Sequence, residues 1–380
     1  MGMLRHLALE SFRNYDQQQI DFEPGINLLI GQNGQGKTNL LEAIHFLAIL
    51  RSFRTSKVNH LRRWGNKLFR LRGLLENGTR RTKLAIEYGQ ARRVSVDGHE
   101  LSRASDFIRH FYCATFVPED IGLVKGTGSD RRRFLDIAAT QIFAPYLGCL
   151  QDYNKALKTR NALLRKERLN QKVLQAYDKV LIERGGMLLY YRQLLLDELS
   201  GRLEETSRKL FPEGMELTLR YAPGISMTDD ESTIDDTTAA LQQELEGSFD
   251  RDRARQHTTR GPHRDDLHLA LNGHPLAEFG SEGQCRLGVL ALKMATGDMI
   301  LARKEDDIVI WLVDDVVGEL DERAKGAFFQ ALSAASQTFI VATSDTVFSG
   351  MQPSATFRVE DGQITRALNG PNPAMPEDPA

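Results

Sequence analysis

Cysteine is scarce in this chain of 380 residues. Cys113, Cys149 and Cys285 are too few and too scattered for a disulfide framework or a zinc site. They fit a reducing interior, so a cytoplasmic location is expected. No apolar run approaches the ~20 residues needed to span a bilayer. The opening MGMLRHLALE lacks the apolar core of a signal peptide. Membrane insertion and secretion are therefore not expected. Net charge is nearly absent as well, at −2. What is present is a folding composition: 41% hydrophobic and 26% charged residues can bury a sizeable core, in two or three structural units. The near-zero net charge hides an uneven distribution. Over residues 51–168, Lys and Arg outnumber Asp and Glu 25 to 11, while every other stretch is acidic. Such a segment fits a polyanion partner, or a solvated face balanced by acidic neighbours in the fold.

Periodicity places the elements. Leu4 to Phe12 alternates loosely, and Ile26–Ile30 reads as a strand ending at Gly31. Leu40, Leu41, Ile44 and Leu47 recur at helical spacing after Lys37. Short runs broken by Gly78, Gly89 and Gly98 predict a meander over 68–101. Residues 131–210 carry little Pro or Gly. Leu150, Tyr153, Leu157 and Leu164 form one stripe there, and Leu188, Leu195, Leu199 and Leu203 another. This predicts a helical insertion, in the form of an antiparallel arm. Residues 223–252 are acidic and Ser/Thr-rich and read as a surface excursion, with a helix only at ALQQELEG. A helix from Gln284 to about Arg303 and buried strands at Ile308–Val313 and Thr338–Ala342 follow. The Pro-rich end from Asn369 reads as a disordered tail. The expected division is 1–125, 126–255 (helical insertion), 256–368 and the tail 369–380.

Three motifs carry chemistry. Gly31-Gln32-Asn33-Gly34-Gln35-Gly36-Lys37-Thr38 fits G-x-x-x-x-G-K-[ST], between a strand and an amphipathic helix. A Gly-rich turn there aims backbone N–H groups and a helix N-terminus at phosphates. Lys37 brings charge to the β/γ-phosphates, and the Thr38 hydroxyl ligates Mg²⁺. Next, the apolar run Ile308–Val313 ends in Asp314-Asp315. Beside a phosphate loop, Asp314 could hold Mg²⁺ and Asp315 could orient or activate the attacking water. Finally, Ser281-Glu282-Gly283-Gln284 opens a helix, with Ser281 as N-cap. It resembles the ABC-type signature S-x-G-Q, which reads the γ-phosphate of ATP held by a second subunit. Glu319-Leu320-Asp321 resembles the D-loop.

Together with Leu9–Tyr15 (LESFRNY), Ser52–Lys57 (SFRTSK), Pro118–Val124 (PEDIGLV), Arg131–Asp136 (RRRFLD) and Thr259–Leu267 (TRGPHRDDL), these motifs resemble the RecF family of bacterial recombinational repair, relatives of the SMC and Rad50 ATPases. The resemblance covers most of the chain. It implies an α/β fold: an ABC-type (Rad50/SMC-like) P-loop ATPase head with an inserted helical subdomain, dimerising over ATP and Mg²⁺. It also implies a homodimer that binds single-stranded, gapped or junction DNA, promotes recombinase loading and SOS induction, works with the RecO and RecR proteins, and hydrolyses ATP weakly under DNA stimulation. Nucleotide contacts carried over by the resemblance are Gly31 to Thr38, Asn39, Arg13, Ser281, Gly283 and Gln284; Lys37 and Asp315 are catalytic, and Thr38 and Asp314 are metal ligands.

The chain departs from the family pattern at two places and from the general ABC-type pattern at two more. Gly318 stands where Ser or Ala is usual, and Val117 where Ser commonly precedes Pro-Glu-Asp. Asp315 takes the place of the ABC-type glutamate, and Ala342-Thr343-Ser344-Asp345 has no switch histidine. The last two fit the family and imply slow hydrolysis, a timer rather than a motor. Other classes share single motifs. The helical insertion at 131–210, the basic bias and the missing switch histidine speak against a transporter subunit. The overcoming-lysogenization-defect ATPases carry an added acidic nuclease domain, which is not expected in the stretch after residue 345. A small-molecule kinase leaves SEGQ and the Asp pair unexplained.

Overall fold

Every second side chain of the strand Phe69–Asn77 is buried, and so the strand has an inner and an outer face. Phe69, Leu71 and Leu75 point inward, while Arg72 faces solvent. The computed structural model describes residues 2–55, 57–227, 233–303, 307–315, 320–333, 335–343 and 352–367. They fall into two compact units. The first is Met1–Ser102 with Asp306–Glu319 and Leu332–Ala380; the second is Arg103–Glu305 with Leu320–Ala331.

The first unit holds two sheets. Met3–Phe12 pairs antiparallel with Tyr15–Asp21 on one side and Phe69–Asn77 on the other. Arg80–Tyr88 and Arg92–Val96 continue the meander that the glycine spacing predicts. In the second sheet, Gly25–Ile30 runs parallel to Gln337–Ala342 and to Ala355–Glu360, and Val309–Asp314 runs parallel to Gln337–Ala342. Val309–Asp314 and Gln337–Ala342 are buried at every position. That burial on both faces explains the apolar runs Val309–Val313 and Phe339–Ala342 within them. The helix Lys37–Ile49 touches strands of both sheets, so it lies between them and is buried nearly all round. Gln337 links the two sheets: its amide accepts from Leu4 N at 2.9 Å and donates to Glu23 O at 2.9 Å.

The second unit is mostly helical. Tyr146–Leu164 packs along Gln171–Leu210, a helix of 40 residues. Leu188, Leu195, Leu199 and Leu203 are all fully buried. The long helix does not project as a free arm, because Glu282–Arg303 also packs on it. Arg303 pairs with Glu198 across that contact.

The stretch 223–252 departs from expectation. The helix expected at ALQQELEG is present but longer, Ile234–Gly247, and a second helix, Phe249–Arg255, follows it. Thr233 caps the first helix by accepting from Asp236 N at 3.2 Å, and Asp236 accepts from Thr233 N at 3.1 Å. This is a reciprocal cap, with Asp in the place of the usual Glu. Leu241 and Leu245 are buried against Gln171–Leu210. The approach is close at Gly186, where a Cβ would lie 2.2 Å from Thr238 Oγ1. The acidic composition is the solvent face and the first turn; the buried face is a sparse four-residue repeat. The predicted tail from Asn369, Gly318 and Glu319 of the D-loop region, and Ser344-Asp345 lie outside the described residues.

Candidate functional site

The phosphate loop joins Gly25–Ile30 to Lys37–Ile49, as the strand–turn–helix reading requires. Two glycines are demanded by space. A Cβ on Gly31 would sit 2.2 Å from the Val359 carbonyl oxygen. Gly36 has φ +119, and a Cβ there would meet Asn14 Nδ2 at 2.5 Å. The loop thus passes where no side chain could, which leaves its backbone N–H groups free to approach an anion. Lys37 is only 6% exposed. Its ammonium donates to Gly31 O at 2.6 Å and Gln32 O at 2.8 Å. Burial lowers its pKa, and Asp314 and Asp315 pull it back up.

Thr38 and Asp314, 276 positions apart in sequence, meet directly. The Thr38 hydroxyl donates to Asp314 Oδ2 at 2.6 Å. Asp314 is buried at the end of its strand, and the next residue turns outward. Asp315 is exposed and left-handed, with φ +50. Asp tolerates that region better than most residues. A hydroxyl and a carboxylate in contact beside a phosphate cradle form a donor set suited to Mg²⁺, which takes few protein oxygens and completes its shell with phosphate and water.

Around the loop lies a set of braces that motif reading missed. Asn14 donates to Gln35 O at 2.9 Å, and the Tyr15 hydroxyl donates to Gly36 O at 2.9 Å. Gln35 accepts from Asp361 N at 2.5 Å. Asn39 donates to Asn14 Oδ1 at 2.8 Å and accepts from Arg54 at 3.1 Å. Arg13 grips Glu42 through two bonds of 2.7 and 2.8 Å, and Glu42 is fully buried. Ser52 donates to the same carboxylate. Arg13 therefore anchors the phosphate-loop helix, and its Nη1 donates to His60 O at 3.0 Å. Asn14 and Tyr15 lie inside LESFRNY, but nothing in that pattern says that it props the loop.

In the second unit, Ser281 N donates to Gln284 Oε1 at 2.9 Å and Gln284 N donates to Ser281 Oγ at 3.3 Å. The two side chains cap the helix Glu282–Arg303 reciprocally. Ser281 and Gly283 are exposed. A Cβ on Gly283 would meet nothing within 4 Å. Folding of the chain gives no reason for that glycine. Asp321 accepts from Ala324 N at 2.8 Å and so caps the helix Glu322–Leu332.

RRRFLD and TRGPHRDDL converge in the same unit. Arg131 makes two bonds to Asp266, of 2.6 and 2.8 Å, and Arg132 donates to Asp265 O at 2.8 Å. Asp265, fully buried, accepts from Arg192 and from Tyr221, both at 2.5 Å, and from Gly224 N at 2.7 Å. Arg192 also reaches Asp136 at 2.8 Å. These arginines hold the unit's polar core together. His263 Nε2 donates to Thr258 O at 3.1 Å, which leaves Nδ1 to accept from the Tyr153 hydroxyl at 2.6 Å. The ring is neutral: burial first, then Arg264 and Arg132, push its pKa down from 6.5 to about 4, against upward pulls from the Thr258 carbonyl and Asp252. The unfolded state therefore binds this proton more tightly. Stability is full above pH 6.5 and falls as pH drops toward 4, by about 3 kcal/mol from this group. Thermal unfolding across that window should flatten in His263→Gln. An unchanged pH slope in that variant would remove His263 as the cause.

Comparison with known proteins identifies the family. The AAA domain family matches residues 6–210. The DNA replication and repair protein RecF of Streptococcus pneumoniae (strain CGSP14) is 35% identical over 370 residues, 97% of this chain and 99% of that protein. The chain belongs to the RecF family. RecF of Lactococcus lactis subsp. cremoris (strain MG1363) is also 35% identical, over 96% of this chain and 99% of its own length. Among solved structures, the recombination mediator protein RecF–ATPrS of the RecFOR pathway superposes with a TM-score of 0.87 at 29% identity, covering 96% of this chain and 98% of that one. An SMC head domain from Pyrococcus furiosus, solved with an extended coiled coil and the C-terminal domain of ScpA, gives 0.53 at 14% identity over 97% and 96%, a likeness of fold alone. This RecF-family chain therefore has the ABC-type ATPase head fold that its motifs predict. Among its described residues, no helix is long and apolar enough to cross a membrane.

Proposed function

We propose that this chain is an ATP-controlled DNA-binding clamp of recombinational repair and replication-fork maintenance. The observation that carries the reading is the phosphate loop closing on Asp314 through Thr38, within a RecF-family chain. In this reading Gly31 to Thr38 cradle ATP. Asn39 and Arg13 support the cradle. Thr38 and Asp314 hold Mg²⁺, which would offset phosphate charge. Asp315 positions the attacking water. Ser281, Gly283 and Gln284 meet the γ-phosphate of ATP held by a second copy of the chain, and the open space over Gly283 supports a use for that glycine outside its own fold. Hydrolysis is slow and DNA-stimulated and ends the clamped state, so recombinase loading and SOS induction follow dimer lifetime. RecO and RecR are the partners, supported by the RecFOR pathway of the solved relative. The chain acts in the cytoplasm. The functional division we propose remains a head built from 1–125 and 256–368 with a helical lobe at 126–255. The compact units cut elsewhere because the signature helix packs on the long lobe helix.

DNA binding measured with and without ATP, on gapped, single-stranded and blunt duplex substrates, tests the reading. ATP-independent binding of equal strength on all three would refute it. The excess of cations over residues 51–168 supports phosphate contacts. With about six such contacts, affinity should fall on the order of a thousandfold between roughly 50 and 200 mM salt. A flat salt response would point to a different partner.

A further inference from the structure

Trp64 is 99% exposed. Trp is ordinarily well buried, and the chain's other one, Trp311, is at 0%. The turn that presents Trp64 is braced. Arg63 N donates to Ser11 O at 2.8 Å, and Asn66 Nδ2 donates to Ser11 Oγ at 2.6 Å. Asn66 N closes the turn on Arg63 O at 3.1 Å, and Arg62 reaches Lys67 O at 2.9 Å. Gly65 takes φ +85, and Leu61 is fully buried beneath. The backbone on both sides of the indole is thus tied down, while the ring stands in solvent.

The segment that carries Trp64 has one sign of charge, although Arg63 beside the indole is already paired with Asp16. Residues 43–75 contain eight Lys and Arg and no Asp or Glu. Arg54, Lys57 and Lys67 are exposed. No other large hydrophobic side chain of the turn is exposed: among the described residues the remaining ones are Val173, Leu194 and Phe279. A protein-binding hot spot is normally an aromatic within an apolar patch depleted of Lys. A lone aromatic among cations is instead the arrangement that binds single-stranded nucleic acid, with the ring stacking on a base and the cations on its phosphates. The turn is also tied to the nucleotide site. Arg13 donates to Leu61 O at 2.7 Å and to His60 O at 3.0 Å while holding Glu42 of the phosphate-loop helix.

We propose that the Trp64 turn is a base-stacking contact for an unpaired nucleotide of single-stranded or gapped DNA, with Arg54, Lys57 and Lys67 on the adjoining phosphates. The inference rests on the DNA-binding reading above and gives it a means of distinguishing unpaired from paired DNA. A blunt duplex offers no splayed base, so Trp64 contributes little there.

The test uses the full chain with ATP and Mg²⁺. The substrates are an oligothymidylate, a gapped duplex and a blunt duplex. Trp64→Ala should weaken the first two by about tenfold and the blunt duplex by less than about twofold. Trp64→Phe, which still stacks, should recover most of the loss. ATP affinity should match wild type in both variants. Wild-type emission should be quenched on saturation with oligothymidylate, and Trp64→Phe, with only buried Trp311, should show no quenching. Equal oligothymidylate affinity in wild type and Trp64→Ala overturns this inference alone, as does an equal loss on all three DNAs. So does a Trp64→Ala chain that binds DNA normally but no longer binds RecO or RecR. A wild-type chain that binds none of the three overturns the DNA-binding reading as well.

Discussion

Lys37→Ala is expected to weaken ATP binding by about a hundredfold or more, and to remove hydrolysis with it. The size of the effect follows from burial. At 6% exposure, the ammonium sits where charge is costly, and burial lowers its pKa while Asp314 and Asp315 raise it. Alanine removes the only side-chain cation inside the loop. It also leaves the Gly31 and Gln32 carbonyls without the donor that now serves both. Lys37→Arg keeps the charge but spreads it over a planar fork too large for the space of an ammonium. Binding should be largely retained in that variant and hydrolysis impaired. Titration calorimetry with ATP and steady-state phosphate release separate the two effects. Asp314→Asn provides a cross-check, because losing that carboxylate should lower the Lys37 pKa further. Full ATPase activity in Lys37→Ala would overturn the assignment of the loop.

The parts of this site that were legible in the sequence are those governed by local rules. A phosphate loop needs glycines at fixed spacing, so Gly31, Gly36, Lys37 and Thr38 announce themselves. A strand buried on both faces has no reason to end in two carboxylates, so Asp314 and Asp315 stand out. The braces were not legible, because they are long-range. Nothing local says that Arg13 will grip Glu42, or that Gln35 will be pinned by Asp361, 326 positions away. The acidic stretch after residue 223 misled for another reason. The buried face of its helix Ile234–Gly247 is only Thr237, Leu241 and Leu245, and composition averaged over the segment hides a repeat that sparse. The polar core around Asp265 shows the same limit. TRGPHRDDL and RRRFLD carry the family resemblance, but no local pattern says that Arg131 will bond to Asp266 or Arg132 to the Asp265 carbonyl.

Gly283→Ala should abolish ATP-driven dimerisation without cost to the fold, and this separates partner contact from folding more cleanly than a bulky change does. Gly283 lies in the first turn of the helix Glu282–Arg303, and a Cβ there would touch nothing within 4 Å. Within the monomer the change should be neutral or stabilising by up to about 1 kcal/mol, since Ala favours helix over Gly. If the helix N-terminus must come within contact distance of phosphate oxygens on a second copy, that methyl occupies the gap. Ser281→Arg should block the dimer more completely, but it also removes the Oγ that caps Gln284 N, at a cost of about 1 kcal/mol. ATP binding by the monomer should survive both changes, because no residue of the phosphate loop is altered. Asp315→Asn should act in the opposite sense. Asn accepts the left-handed φ of +50 as readily as Asp, so the turn persists while the group that activates water is lost. The ATP-bound dimer should then outlive that of the wild type, and DNA retention should lengthen with it. Sedimentation with ATP, ADP and no nucleotide reads all three variants. A wild-type chain that stays monomeric at micromolar concentration with saturating ATP and Mg²⁺, with or without DNA, would overturn the clamp mechanism even with the phosphate loop correctly assigned. A Gly283→Ala chain that dimerises as the wild type does would remove the signature helix from the interface.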